Sequence, residues 1–135
     1  MLSTSECHDY LSQHRLGRVG VSIGALPVIL PVLYLFRDGS IWFFTEDGTK
    51  LNAAVTNSVV AFEVDHLDED GGWSVLVIGR CQPERDPGVI DALHRDGLAA
   101  GAPGVREQLV QIPIHQLSGR AFSVREKAEA NLGYA

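Results

Sequence analysis

Cysteine is scarce in this chain of 135 residues. Cys7 and Cys81 lie far apart, and neither has a neighbour at zinc-ligand or redox-motif spacing. They read as two buried or half-exposed thiols in a reducing cytoplasm. Long apolar runs are missing as well, and nothing approaches the ~20 residues that a membrane-spanning helix needs. The longest, Ala25 to Phe36, is interrupted by Pro27, Pro31 and Tyr34. Met1 to Arg15 carries Glu6 and Asp9 and has no continuous apolar core, so it does not read as a signal peptide. A cytoplasmic location and no membrane partner are expected. Positive charge is also short: 11 Lys and Arg against 17 Asp and Glu give a formal net charge of -6. That argues against general nucleic-acid binding, which relies on neutralising phosphates. It leaves room for a small phosphorylated ligand in a local basic pocket.

Several catalytic signatures are absent too. His8, His14, His66, His94 and His115 form no i,i+4 pair on one helix and no HxH motif, so no metal site is expected. The acidic run His66 to Asp70 lacks a calcium-loop pattern and reads as solvated. There is no Gly-x-Ser-x-Gly elbow for serine chemistry. Cys7 and His8 are adjacent, so on a helix they point in different directions. Glu63 and Asp65 flank the end of a strand with no evident partner. Catalytic side chains stay unassigned.

What is present is ordinary globular composition, 45% hydrophobic and 21% charged, of a length that suits one domain over residues 1–135. Ser3 with Glu6 forms a capping box, and Cys7, Tyr10, Leu11 and His14 recur at helical spacing toward a stop near Gly17. Arg18 to Ile23 alternates as a strand, Gly24-Ala25 turns, and Leu26 to Phe36 reads as a second, more buried strand. Pro27 and Pro31 must sit where no N–H is needed. Arg37-Asp38-Gly39-Ser40 predicts a hairpin into a return strand, Ile41 to Thr45. A helix over Thr49 to Thr56, a strand over Val59 to Val64 and an acidic loop over His66 to Gly72 follow. Then come a strand from Trp73 to Arg80, with a possible extension toward Glu84, and a helix from Asp86-Pro87 to about Arg95. Gly97 to Gly104 reads as an irregular loop, Leu109 to Ile114 and Gly119 to Val124 as the last strands, and Arg125 to Ala135 as a polar tail. Many short strands with few helices predict a mainly β chain folded as a closed or partly closed antiparallel barrel.

The stretch Phe43 to Leu51 carries the most chemistry. A strand ends in a turn with Thr45, Gly48, Thr49 and Lys50 and runs into a helix. Helix-start N–H groups, hydroxyls and one ammonium suit the capture of a phosphate. Glu46 and Asp47 oppose an anion there unless they point outward. The aromatics Tyr34, Phe36, Trp42, Phe43, Phe44, Phe62 and Trp73 read first as core, and also as walls for a flat cofactor.

The order of these features resembles the pyridoxamine 5′-phosphate oxidase-like, FMN-binding split-barrel superfamily. The likeness is to its short actinobacterial branch, with nitroimidazole-reductase-type and flavin/deazaflavin oxidoreductases. It rests on Gly17-Arg18-Val19, Leu30-Pro31-Val32-Leu33-Tyr34, Asp38-Gly39, Phe44-Thr45, Gly48-Thr49-Lys50-Leu51, Asn57, Val60 to Asp65 and Trp73 to Gly79. Glu6-Cys7 with Leu11, and Gly119-Arg120, extend it over nearly the whole chain.

The resemblance implies a homodimer of split β-barrels with two cofactor sites at the subunit interface. Leu30, Pro31, Val32 and Leu33 would line the flavin ring and offer backbone N–H groups. Thr45, Thr49 and Lys50 would hold its phosphate, and Trp73 and Ser74 would come from the opposite subunit. The turn has Gly48-Thr49-Lys50 where the B6 oxidase has Ser-Arg-Lys, and Phe44 and Leu33 replace the arginine and asparagine of close relatives. The longer C-terminal segment that binds vitamin B6 in the B6 oxidase has no counterpart here, so B6 oxidase activity is not expected. The expected function is flavin-dependent hydride or electron transfer to a small-molecule substrate, with FMN as cofactor and FAD or a deazaflavin as alternatives. A non-enzymatic flavin- or haem-binding carrier or sensor is the second expectation, and a degenerate barrel with a structural role the third.

Overall fold

A computed structural model describes residues 1–99, 101 and 103–123. The expected end of the last strand at Val124 and the tail Arg125 to Ala135 lie outside the described residues. Helix α1, Thr4–Gln13, starts at the predicted box: Ser3 Oγ accepts from the Glu6 N–H at 3.1 Å, and Glu6 Oε1 accepts from the Ser3 N–H at 2.9 Å. These bonds hold the Glu6 carboxyl below its ordinary pKa. The helix stops at Gln13 rather than near Gly17, because the chain is already extended at His14 and enters β1, Leu16–Ile23.

The expected second strand divides. β2, Leu26–Leu33, and β3, Leu35–Arg37, belong to different sheets, and the break falls at Tyr34 rather than at either proline. Tyr34 is fully buried: its N–H donates to the Arg15 carbonyl at 2.8 Å and its hydroxyl to the Leu11 carbonyl at 2.7 Å. A side chain so fixed directs the chain from one sheet to the other. The Asp38-Gly39 hairpin forms with both residues at positive φ, 53° and 73°, and leads into β4, Ser40–Glu46.

Helix α2, Lys50–Val55, precedes β5, Val59–Leu67. The predicted acidic loop is instead a tight hairpin into β6, Gly71–Arg80, where Asp68 Oδ1 accepts the N–H groups of Asp70 and Gly71. Strand β6 ends at Arg80. After the buried Cys81 the chain enters the other sheet as β7, Gln82–Glu84, and continues through α3, Pro87–Arg95. β8, Glu107–Pro113, and β9, Gln116–Ser123, complete the described chain, the latter beginning three residues before the predicted Gly119.

All strand pairs are antiparallel, in two sheets ordered β2-β1-β5-β6-β9 and β3-β4-β8-β7. Among the described residues no strand pair joins the two, so the architecture is a split barrel rather than a closed one. The main core, with Leu11, Val19, Phe43, Phe62, Val75 and Ile112 buried, fills the space between them. A second cluster, Leu35, Trp42, Leu93, Leu98 and Leu109, packs α3 on the outside of the smaller sheet.

Candidate functional site

Two features predicted to hold a ligand lie on neighbouring elements. The phosphate turn ends β4, and β2 packs against β4. In the turn, Thr49 is the N-cap of α2: its Oγ accepts from the Asn52 N–H at 3.1 Å and donates to the Glu46 carbonyl at 2.7 Å. Thr45 is buried, and its hydroxyl donates to Asn52 Oδ1 at 2.6 Å, with the Gln108 carbonyl 3.4 Å away. Both hydroxyl protons are therefore committed inside the protein. Asn52, which sequence reasoning passed over, ties the strand end to the cap from one side chain. Its position three residues after a capping threonine is the signal that was available.

The groups left for an anion are the Lys50 ammonium and the helix-start N–H groups of Lys50 and Leu51, which have no intrahelical partner. Lys50 is exposed, and among the described residues it makes no ion pair. Glu46 and Asp47 are exposed as well.

Among the described residues strand β2 is a sheet edge, bonded to β1 alone. Antiparallel neighbours alternate between pairs that exchange both hydrogen bonds and pairs that point them away. The Tyr34 N–H bond to the Arg15 carbonyl fixes the phase. One residue back, Leu33 opposite Leu16 is a non-bonded pair, as is Pro31 opposite Arg18. Proline thus stands where no N–H is needed. Of the four residues expected to line a ring, Leu33 alone offers an N–H to the open edge, since Pro31 has none and Leu30 and Val32 face β1. Leu30 and Val32 are half-buried toward the core, whereas Pro31 and Leu33 are exposed on the outer face.

Trp73 and Ser74 part company. Trp73 is buried on the inner face, stacked on Tyr10 with ring centroids 4.0 Å apart and with His14 at 5.0 Å. Ser74 points to the outer face, between Asp65 and Arg120 of the flanking strands. Successive strand side chains alternate, so these two cannot turn their side chains to one ring. Phe44 stacks on His94 of α3 with ring centroids 4.9 Å apart.

The other candidate chemistry resolves more simply. Glu63 and Asp65, unpartnered in the sequence reading, both bind Arg18, at 3.2 and 3.0 Å. Both thiols are buried, and burial pushes Cys81 up to about 12 and raises Cys7. Such thiols are poor nucleophiles. Among the described residues no group of three or more His, Cys, Asp or Glu is placed to hold a metal ion. No helix among them is long and apolar enough to cross a membrane.

Comparison with known proteins agrees with this architecture. A sequence profile described as pyridoxamine 5′-phosphate oxidase matches residues 3–121. The structure of an FAD binding protein from Mycobacterium smegmatis superposes with a TM-score of 0.82 at 32% identity, over 90% of this chain and 97% of that one. An FAD-binding protein from Mesorhizobium loti superposes with a TM-score of 0.70 at 28% identity, over 90% and 96%. An uncharacterized protein of Mycobacterium tuberculosis is 41% identical over 78 residues, 53% of this chain and 51% of that protein. The match thus spans about half the length of that relative.

Proposed function

Because the chain belongs to the pyridoxamine 5′-phosphate oxidase family, we propose that it binds a flavin between the open edge of β2 and the turn at Lys50, and passes hydride or electrons to a small molecule. The observation that carries this reading is that, among the described residues, Lys50 makes no ion pair and lies near a strand whose edge is open and carries Leu33's N–H. These residues fit the group. A flavin's phosphate meets one ammonium and two helix-start N–H groups, and its ring meets a backbone edge with one donor and a row of carbonyls. The flavin, once bound, supplies the redox chemistry, and the protein supplies binding and orientation. Leu33 and Pro31 present apolar surface that excludes water from the ring. No acid or base is asked of the chain, in keeping with the buried, high-pKa thiols.

The flavin proposed is FMN or FAD; that two superposed relatives are FAD-binding proteins supports including FAD. We further propose that the protein is a cytoplasmic homodimer with the ring shared between subunits. Ser74, on the outer face, is then the β6 side chain that reaches the opposite subunit's site, and Trp73 serves its own core.

Titration of the apoprotein with FMN and with FAD, followed by quenching of flavin fluorescence, tests the reading. Lys50→Ala is expected to weaken binding by about 1.5–3 kcal/mol, the worth of a charge-assisted hydrogen bond. Absence of quenching by either flavin refutes flavin binding, and unchanged affinity in Lys50→Ala refutes the phosphate assignment.

A further inference from the structure

The turn at Lys50 has a second cation beside it, supplied from a distant part of the chain. The ladder between β4 and β8 runs one pair beyond its last strand residues, Glu46 and Glu107. There the Asp47 N–H donates to the Arg106 carbonyl at 2.8 Å. Arg106 thus enters β8 directly opposite the turn. It is exposed and, among the described residues, makes no ion pair. No other described arginine is hydrogen-bonded to the turn. Arg18 and Arg37 are held in ion pairs, and Arg15 and Arg80 donate to backbone carbonyls elsewhere. Arg95 is carried by α3, outside the smaller sheet.

Strand alternation sorts the carboxylates around this cation. Phe44 and Leu109 face outward under α3, so Glu46 and Glu107, each two residues away, share that outer face. Glu107 there accepts the Gly101 N–H at 2.7 Å. Thr45 is buried on the inner face, and Asp47 and its partner Arg106 follow it. Of the turn's two carboxylates only Asp47 lies on Arg106's side, and no ion pair joins them. The guanidinium is left with its full donor capacity.

We propose that Arg106 binds a second phosphate of the ligand held at Lys50, so that the site takes a dinucleotide flavin in preference to a mononucleotide. The proposal deepens the function above and rests on it. The order of the strands gives the direction. β2 packs against β4, whereas β8 packs against β6, which β1 and β5 separate from β2 in the larger sheet. A ring on the edge of β2 with its phosphate at the turn after β4 therefore points the rest of the ligand toward the entry of β8. A mononucleotide ends at its first phosphate. A dinucleotide continues to a second, at the place where Arg106 stands.

The charges match as well. A pyrophosphate diester carries one negative charge on each phosphate, and Lys50 and Arg106 offer one cation to each. The planar guanidinium fork suits two oxygens of one phosphate, whereas the ammonium of Lys50 acts as a point charge.

Calorimetric titration of the full-length apoprotein with FAD and with FMN tests this, in the natural chain and in Arg106→Ala, Lys50→Ala and Asp47→Asn. Arg106→Ala is expected to lose about 10-fold or more in FAD affinity and less than about 3-fold in FMN affinity. Lys50→Ala weakens both flavins. Asp47→Asn removes the carboxylate that competes for Arg106, so FAD should bind more tightly. Unchanged FAD affinity in Arg106→Ala, or an equal loss for the two flavins, overturns the proposal. Weaker FAD binding in Asp47→Asn overturns it too, because Asp47 then positions Arg106 instead of competing for it. Thermal melts of the variants, all at exposed positions, establish that each is folded at the titration temperature. Flavin binding that ignores Arg106 defeats this proposal alone, and binding of neither flavin to the natural chain defeats the function it rests on.

Discussion

Replacing Thr49 with valine keeps the branched shape of the side chain and removes its oxygen. That oxygen makes two hydrogen bonds, accepting from the Asn52 N–H at 3.1 Å and donating to the Glu46 carbonyl at 2.7 Å. Loss of an N-cap costs about 1 kcal/mol. The second bond is solvent-accessible, so its loss adds about 0.5 kcal/mol. The sum, about 1.5 kcal/mol, corresponds to a fall of about 5 °C in Tm for a domain of this size. Thr49→Ser restores both bonds and is expected within about 0.5 kcal/mol of the natural chain. Urea denaturation of the apoprotein measures these values. Flavin titration of the same variants separates a cap from a ligand. With its proton committed to Glu46, the hydroxyl has none for a phosphate, so affinity in Thr49→Val should change by less than about 3-fold, under 1 kcal/mol. A Thr49→Val protein of unchanged stability refutes the capping argument. Unchanged stability with a 10-fold or larger loss of affinity, about 1.4 kcal/mol, shows instead that the hydroxyl turns to the ligand.

Gly79 is buried, and a Cβ there would run into the Pro113 carbonyl oxygen and sit 2.9 Å from Ile112 Cγ2. Gly79→Ala must push backbone rather than a side chain, so a loss of about 3 kcal/mol in denaturant unfolding is expected, and Ile112→Val should not rescue it. The Glu63 carboxyl, raised from 4.5 to about 7 in the fold, binds its proton more tightly folded than unfolded. Its contribution to stability is therefore fully present at acid pH and is lost as pH rises between those two values. Glu63→Gln should flatten that part of the stability profile and leave the variant more stable than the natural chain near pH 8, as read by thermal melts; a steeper profile in the variant contradicts this. Cys7 and Cys81, both buried, should react with a thiol reagent such as DTNB only after denaturation, and rapid labelling of native protein contradicts the burial of either.

The elements that local chemistry specifies were legible from the residues. Ser3 with Glu6, Asp38-Gly39 and Asp86-Pro87 each fix a start or a turn through contacts within a few residues, and each forms where expected. What failed depended on partners far along the chain. Leu26 to Phe36 looked like one strand because its apolar pattern runs through Tyr34 unbroken. The division there follows from bonds to Leu11 and Arg15, which no local pattern reveals. His66 to Gly72 looked like a solvated loop because its acids are strand-poor, yet pairing of β5 with β6 carries the ladder through to Leu67 and Gly72. At the candidate site, the sequence put Lys50 in its turn and two prolines in β2. It did not show that the threonine hydroxyls are committed to Asn52 and Glu46, nor that Trp73 and Ser74 face opposite ways.

By itself, then, the sequence determined the kind of protein: an antiparallel β chain with a lysine-bearing turn behind a proline-broken strand, in an order its family shares. Composition, turn residues and strand alternation are short-range properties, and they suffice for that. Only the tertiary structure decided which groups remain free to act. Whether Leu33 has an open N–H depends on the phase of the β1–β2 ladder. Whether Lys50 is unpaired and Glu63 crowded depends on which strands lie side by side. A side chain's type is written in the chain, but its remaining hydrogen-bonding capacity and its charge balance belong to its neighbours, and the fold chooses those.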